Sequence, residues 1–204
     1  MPKSATLSGE RRRTEILDAA LRCFDHQGIT STTIEDIRAE SGASIGSIYH
    51  QFGSKDEILA HIYCEAVFKY RAGLTGALRS QENPKSGLRA AVDFHVQWID
   101  SHRALARIML RWDESELSAM GRAMLSEETR RFGVELGQWL KEAIGSGAIR
   151  SMTPDMYAAL LIGPLLEYGR RQVHNQTTGP IDEGCRELTD GIWRALAVAS
   201  AEGS

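Results

Sequence analysis

Apolar residues along this chain recur every three or four positions, and the period-2 alternation of a half-buried strand is absent, so the pattern predicts an all-α protein. The first stripe is Ile16, Leu17, Ala20, Leu21 and Phe24, which places a helix over about Gly9 to His26, with Gly28 as its stop. Thr32 to Glu35 has the spacing of a capping box, with Thr32 as N-cap and Glu35 three positions on. It opens a short second helix to about Glu40, with Ile34 and Ile37 inward, closed by Gly42. Ser44 caps a third short helix to about Gln51. Ser54 to Glu57 forms another box and opens a long fourth helix striped by Ile58, Leu59, Ile62, Tyr63, Ala66 and Val67, which fades between Gly76 and Asn83.

Asn83-Pro84 marks a turn, and longer helices follow. They span about Lys85 to Ser101, Arg103 to Trp112, and Glu114 to Ile144, the last with a break expected near Gly121 or Ser126. Pro154 starts a helix to about Val173, in which Pro164 predicts a kink. A last helix covers about Ile181 to Ala199.

Two short helices joined by a few residues that include a glycine form the helix-turn-helix pattern, and here the joint is Ser41-Gly42-Ala43. In the third helix Ile48 and Phe52 fall on one face, and Gly46, Tyr49 and His50 share the other. That outer face carries a hydroxyl, an imidazole and no acid. Ser44 and Ser47 sit near the helix start, where unpaired N–H groups and the macrodipole favour phosphate. Lys55, in the first turn of the fourth helix, is a candidate phosphate anchor.

Charge narrows this picture. The chain has 204 residues, 24 Lys+Arg against 27 Asp+Glu, and a formal net charge of -3. Bulk charge therefore gives no support to nucleic-acid binding, and any such contact rests on a local patch. Lys3, Arg11, Arg12 and Arg13 face Glu10 alone in the first thirteen residues, and the triplet is read as preceding the first helix. Residues 14–63 are acidic, so cations position the backbone while base-edge contacts carry sequence.

Hydrophobic residues make up 42% and charged residues 25% of the chain, values that allow a sizeable core. Cys23, Cys64 and Cys185 have neither disulfide nor zinc spacing. His61 with Glu65, and His95 with His102, fall short of a ligand set, so no metal or cofactor is expected. Neither a leader nor an apolar run of membrane-spanning length is expected, which points to a cytoplasmic protein with no membrane partner. The residues show no nucleophile triad, phosphate loop or dinucleotide fingerprint. A helical enzyme and a helical interaction module stay open beside DNA binding on the pattern alone.

Residues 13–59 resemble the DNA-binding domain of the TetR family of tetracycline-repressor-like regulators. The resemblance rests on Thr14 to Ala20, Phe24, Gly28, Thr32 to Ile37, Ser41 to Ser44, Gly46 to Tyr49, Phe52 and Ser54 to Leu59. It implies an N-terminal three-helix DNA-binding domain over 1–57 and a larger helical ligand-binding and dimerisation domain over 58–204. By position, Thr33, Ser44, Gly46, Ser47, Tyr49 and His50 would face the operator and Lys55 would hold phosphate. Ile45 and Gln51 depart from residue types common in the family, which touches operator sequence and affinity.

A ligand pocket among the middle helices is also implied. Phe94, Trp98, Met109, Trp112, Met120, Met124 and Phe132 are the apolar candidates for a small apolar effector of unknown identity, with plain core packing as the other reading. The family pairs its last two helices with their twofold copies. The stripes Met156, Ala159, Leu160, Gly163, Leu166 and Leu188, Ile192, Trp193, Leu196, Ala199 are the matching homodimer candidates. A twofold dimer implies a palindromic double-stranded operator and, as the expected mode of action, a repressor released by its ligand.

Overall fold

The computed structural model describes residues 3–111, 115 and 117–198. The helices are α1 (Lys3–Gln27), α2 (Ile34–Ser41), α3 (Ile45–Phe52), α4 (Lys55–Arg79), α5 (Pro84–Ser101), α6 (Arg103–Arg111), α7 (Ala119–Gly145), α8 (Pro154–Tyr157), α9 (Gly163–Val173) and α10 (Ile181–Leu196). A π-helical turn, Ala158–Ile162, joins α8 to α9. Among the described residues the only β pairing is an isolated bridge between Ile149 and Ala197.

The local signals act mostly as the residues dictate. Gly42 takes φ +65, a left-handed value that strains any residue with a Cβ, and its N–H closes α2 on the Arg38 carbonyl. Ser44 accepts from the Ser47 N–H and so caps α3. The α2 box is shifted by one residue from the expected position. Thr33, not Thr32, is the N-cap, paired reciprocally with Asp36. Thr32 is buried, and its hydroxyl donates to the Gly28 carbonyl. Ser54 accepts from the Glu57 N–H at the start of α4.

Pro164 lacks the N–H that would bond four residues back, and its ring crowds that carbonyl. The chain answers with a π turn just before it, where the Gly163 N–H reaches the Ala158 carbonyl, so the rod bulges instead of breaking. α7 begins later than expected, at Ala119, and runs unbroken through Ser126. Arg11, Arg12 and Arg13 lie inside α1 rather than ahead of it.

α4 is the central strut. It packs against α1, α3, α5, α6 and α7. One hydrophobic cluster runs from Ile16, Phe24, Ile37, Ile48 and Phe52 through α4 to Leu165 and Leu196, so the short N-terminal helices share a core with the longer ones. The α4–α5 contact is close because Gly73 has no side chain: a Cβ there would stand 2.1 Å from the Phe94 ring. On α1 and α6, Asp25 and Arg107 form an ion pair across the two halves of the chain.

Two polar features sit within this packing. Lys55 sends its ammonium onto the carbonyls of Ile29 at 2.9 Å and Thr32 at 2.8 Å, with Thr30 at 3.5 Å. It staples the α1–α2 loop to the start of α4. The buried Tyr70 hydroxyl lies 2.7 Å from His95 Nδ1, and burial pushes the His95 imidazole down to about 4.

Two outcomes follow. Lys55→Met leaves loop carbonyls without their donor and lowers unfolding free energy by about 2 kcal/mol in denaturant titration. A change within error would remove the staple. Because His95 refuses a proton that the unfolded chain accepts at its ordinary 6.5, stability falls as pH drops from 6.5 towards 4. The loss reaches about 3 kcal/mol at most. His95→Gln keeps a partner for Tyr70 and cannot titrate, so its unfolding midpoint changes less over that pH window than the wild type's. Parallel curves would refute the assignment.

Candidate nucleic-acid interface and effector cavity

Packing decides which side of α3 is free. Ile48 and Phe52 are 1% and 3% exposed and enter the core, while Tyr49 on the opposite side is 50% exposed. Ser44, Gly46 and His50 are exposed with it, and Ser47 is half-buried. Ile45, one turn before Tyr49, is 45% exposed. The pair makes an apolar ridge on the outer face, and Ile45 is the surface residue that its reading as a departure from family pattern undervalued. The spacing hid it: Ile45 is i, i+3, i+7 with Ile48 and Phe52, and only its place at the start of α3 leaves it exposed.

Gly46 is informative because nothing inside the molecule calls for it. A Cβ there would meet no heavy atom within 4 Å. Gly in a helix costs about 1 kcal/mol relative to Ala, and no packing contact offsets that cost. The open space lies on the outward side, where it lets another surface approach the backbone.

Around this face the cations are partly engaged. Arg11 and Arg12 pair with Glu15 at 2.9 and 3.3 Å on the solvent side of α1. The Arg11 contact draws the Glu15 carboxyl below its usual range. Such exposed pairs hold their partners weakly and can exchange them for phosphate. Arg13 is held more firmly, 2.9 Å from His61 Nδ1 and with its guanidinium 4.6 Å from the Phe52 ring centroid. Burial, followed by the Arg13 charge, lowers the His61 pKa. That ring meets Phe52 edge-on at 5.5 Å, so α1, α3 and α4 are tied at the foot of α3.

Two of the expected DNA-facing groups are differently occupied. Lys55, expected to hold phosphate, has its ammonium on the carbonyls of Ile29, Thr30 and Thr32, where it staples the loop. Thr33 is exposed, but its hydroxyl is closed onto Asp36 at 2.7 Å.

The larger half contains a cavity of about 420 Å³ walled by α4, α6, α7 and the π turn with α9. Of the expected residues it gathers Met109 and Phe132, beside Tyr63, Tyr70, Leu74 and Leu166. Phe94 and Trp98 are not in its wall. Phe94 fills the notch over Gly73. Trp98 is buried, edge-on to Tyr70 at 5.3 Å and stacked on His102 at 4.8 Å. Met120 and Met124 are half-buried at the start of α7, away from the cavity wall. Trp112 lies outside the described residues. The cavity's charged wall residues, Arg71 and Arg170, were not among the sequence candidates.

A second apolar groove of about 640 Å³ lies between α7 and the π turn. Of the two candidate pairing stripes, Met156 and Ala159 are exposed, and Leu160, Gly163, Leu166, Leu188 and Trp193 are half-buried. Ile192 and Leu196 are corrected: at 2% and 0% exposed they belong to the chain's own core. Ala199 lies outside the described residues. Among the described residues no group of His, Cys, Asp and Glu is placed to hold a metal ion, and no helix is long and apolar enough to cross a membrane.

Comparison with known proteins agrees with this geometry. The family model described as bacterial regulatory proteins, tetR family, matches residues 16–62, which span α2 and α3 with the end of α1 and the start of α4. The transcriptional regulator BetI of Agrobacterium fabrum is 31% identical over 152 residues, covering 74% of this chain and 70% of the relative. The transcriptional repressor KstR2 of Rhodococcus jostii is 37% identical over 110 residues, 52% of either chain. In three dimensions, a TetR-family regulator from Shewanella sp. PV-4 matches 92% of this chain and 99% of its own with a TM-score of 0.74 at 17% identity, a likeness of fold. The chain therefore belongs to the TetR family and is a helix-turn-helix, DNA-binding transcription regulator.

Proposed function

We propose that this regulator is a homodimeric repressor that grips a palindromic operator with the outer face of α3 and lets go when a small molecule fills the cavity behind α4. The reading rests above all on the packing of α3, in which the inward turn of Ile48 and Phe52 leaves Tyr49 and Gly46 on the open side. Ser44, Ser47, Tyr49 and His50 are the polar groups of the operator face, and the exposed ridge of Ile45 and Tyr49 suits thymine methyl groups in a major groove. Arg11 and Arg12 are the proposed phosphate contacts in place of Lys55. Thr33 borders this face and chiefly caps α2.

The exposed and half-buried residues Met156, Leu160, Leu166, Leu188 and Trp193 are the proposed dimer surface. A twofold pair carries two copies of α3 to half-sites roughly 34–36 Å apart. Repression is favoured by the likeness to the transcriptional repressor KstR2 over half of the chain. The site of action is the cytoplasm, where a bacterial operator lies.

Release needs a ligand that prefers one arrangement of the helices over the other. α6 is placed to report it. Its Met109 and Leu110 line the cavity, and its Arg107 holds Asp25 on α1. A ligand that shifts α6 acts on α1 and through it on the spacing of the two α3 helices.

The discriminating variant is Gly46→Ala. It raises unfolding free energy by up to about 1 kcal/mol and weakens operator binding at least tenfold by fluorescence anisotropy. Stabilisation with unchanged DNA affinity would remove the operator face from α3. Tyr49→Ala, at an exposed position, leaves stability within about 0.5 kcal/mol and lowers cognate affinity more than nonspecific affinity. Equal losses on both DNAs would make Tyr49 a backbone contact only.

A further inference from the structure

The cavity behind α4 and the apolar groove beside α7 are neighbours. Phe132 of α7 and Ile162 of the π turn line both, so a space of about 420 Å³ and one of about 640 Å³ share part of their wall. Phe132 is half-buried. Gly133 and Gly137, just after it on α7, line the groove, and a Cβ on either would meet no heavy atom within 4 Å. Glycine weakens a helix relative to alanine, and here it leaves the groove floor bare. The opposite side is the π turn ahead of Pro164, which brings Ala158 and Ile162 to the groove and Ile162 to the cavity as well.

The polar groups on these walls are engaged within the chain. The Tyr70 hydroxyl lies 2.7 Å from His95 Nδ1, and Arg71 donates to the Thr129 hydroxyl at 2.9 Å. Arg170 donates to the Leu110 carbonyl at 3.1 Å and stands 3.9 Å from Glu167. In the groove, Tyr157 donates its hydroxyl to the Arg150 carbonyl at 2.9 Å, and the one charged lining residue among those described, Lys141, is exposed. An occupant made of hydrocarbon leaves all these bonds in place. It also covers the apolar surface of both spaces, which is the larger gain.

We propose that the effector is a long, unbranched hydrocarbon chain that starts in the cavity, passes between Phe132 and Ile162, and runs out along the α7 groove with its polar end in solvent. This rests on the reading of the cavity as the effector site and deepens it by replacing a compact apolar ligand with an extended one. Two apolar spaces that meet at the same two side chains suit one continuous occupant. The Phe132 ring must turn to admit it. A chain one methylene thick needs a small opening there, and a ring system of equal carbon content needs a wide one.

The test uses octaethylene glycol monoalkyl ethers, which are uncharged, with chains of eight to fourteen carbons and each below its micelle-forming concentration. Binding to the full chain without DNA is measured by equilibrium dialysis. Affinity is expected to rise about fourfold per added methylene across the series. The cyclododecyl ether is expected to bind about tenfold more weakly than the dodecyl ether, since its ring buries less of its hydrocarbon past the shared wall. Gly137→Leu fills the groove from a position with no internal neighbour. In this variant the octyl ether should bind within about threefold of the wild type, and the tetradecyl ether should lose about tenfold or more because several methylenes are denied burial.

A tetradecyl ether that binds no better than the octyl ether would overturn the proposal. So would equal binding of the cyclododecyl and dodecyl ethers, or failure of every ether to bind. A Gly137→Leu variant that keeps its tetradecyl affinity and loses self-association in sedimentation velocity would assign the groove to a second copy of the chain and refute the extended ligand. Operator release is measured separately. Length-dependent, Gly137-sensitive binding that leaves the protein on DNA would count against ligand gating and support the extended site.

Discussion

Ile48 and Phe52 must enter the core, and that requirement determines what α3 shows to the outside. Burying each of these side chains contributes about 1.5–3 kcal/mol, so rolling the helix over would cost more than any surface contact returns. The foot of the helix is held again where Arg13 lies over Phe52 and His61 meets the same ring edge-on. With one face committed, Gly46, Tyr49 and His50 are left outward. A DNA reader needs this stiffness, because base-edge recognition turns on where a few side chains sit relative to the groove.

The same economy extends to the link between the two halves of the chain. α4 begins beside the reading helix, under the Lys55 staple, and ends against α5 and α7. Its middle turns give Tyr63, Tyr70 and Leu74 to the cavity. α6 touches cavity and α1 at once. A close-packed core answers a new occupant by shifting whole elements, since side chains have few voids to move into. The helix-turn-helix and the longer helices behind it therefore share one core.

Much of this was legible in the residues. The 3.6 period placed the helices, Gly42 marked the joint, Ser44 marked the cap, and the stripe of Ile48 and Phe52 separated the inner from the outer face of α3. The failures have physical causes. Thr32 with Glu35 and Thr33 with Asp36 have the same spacing, and only the tertiary burial of Thr32 on Gly28 decides between them. The loop carbonyls that Lys55 reaches lie more than twenty residues away and are invisible along the chain. An aromatic on a helix can fill a core or line a cavity. Trp98 took the first course and Phe132 the second, on the strength of neighbours from other helices. Arg71 and Arg170 carry no common motif and meet only when α4 and α9 pack beside the same space.

The proposed operator reading requires a rigid α3 presented twice by a twofold axis. The direct measurement is selection of binding sites from a random duplex pool by the purified protein, followed by hydroxyl-radical footprinting of the winners. The account predicts an inverted repeat with two protected patches centred about one helical turn apart, or a multiple of it, on one face of the duplex. Enrichment of a single asymmetric site with one protected patch, or no enrichment at all, would contradict it.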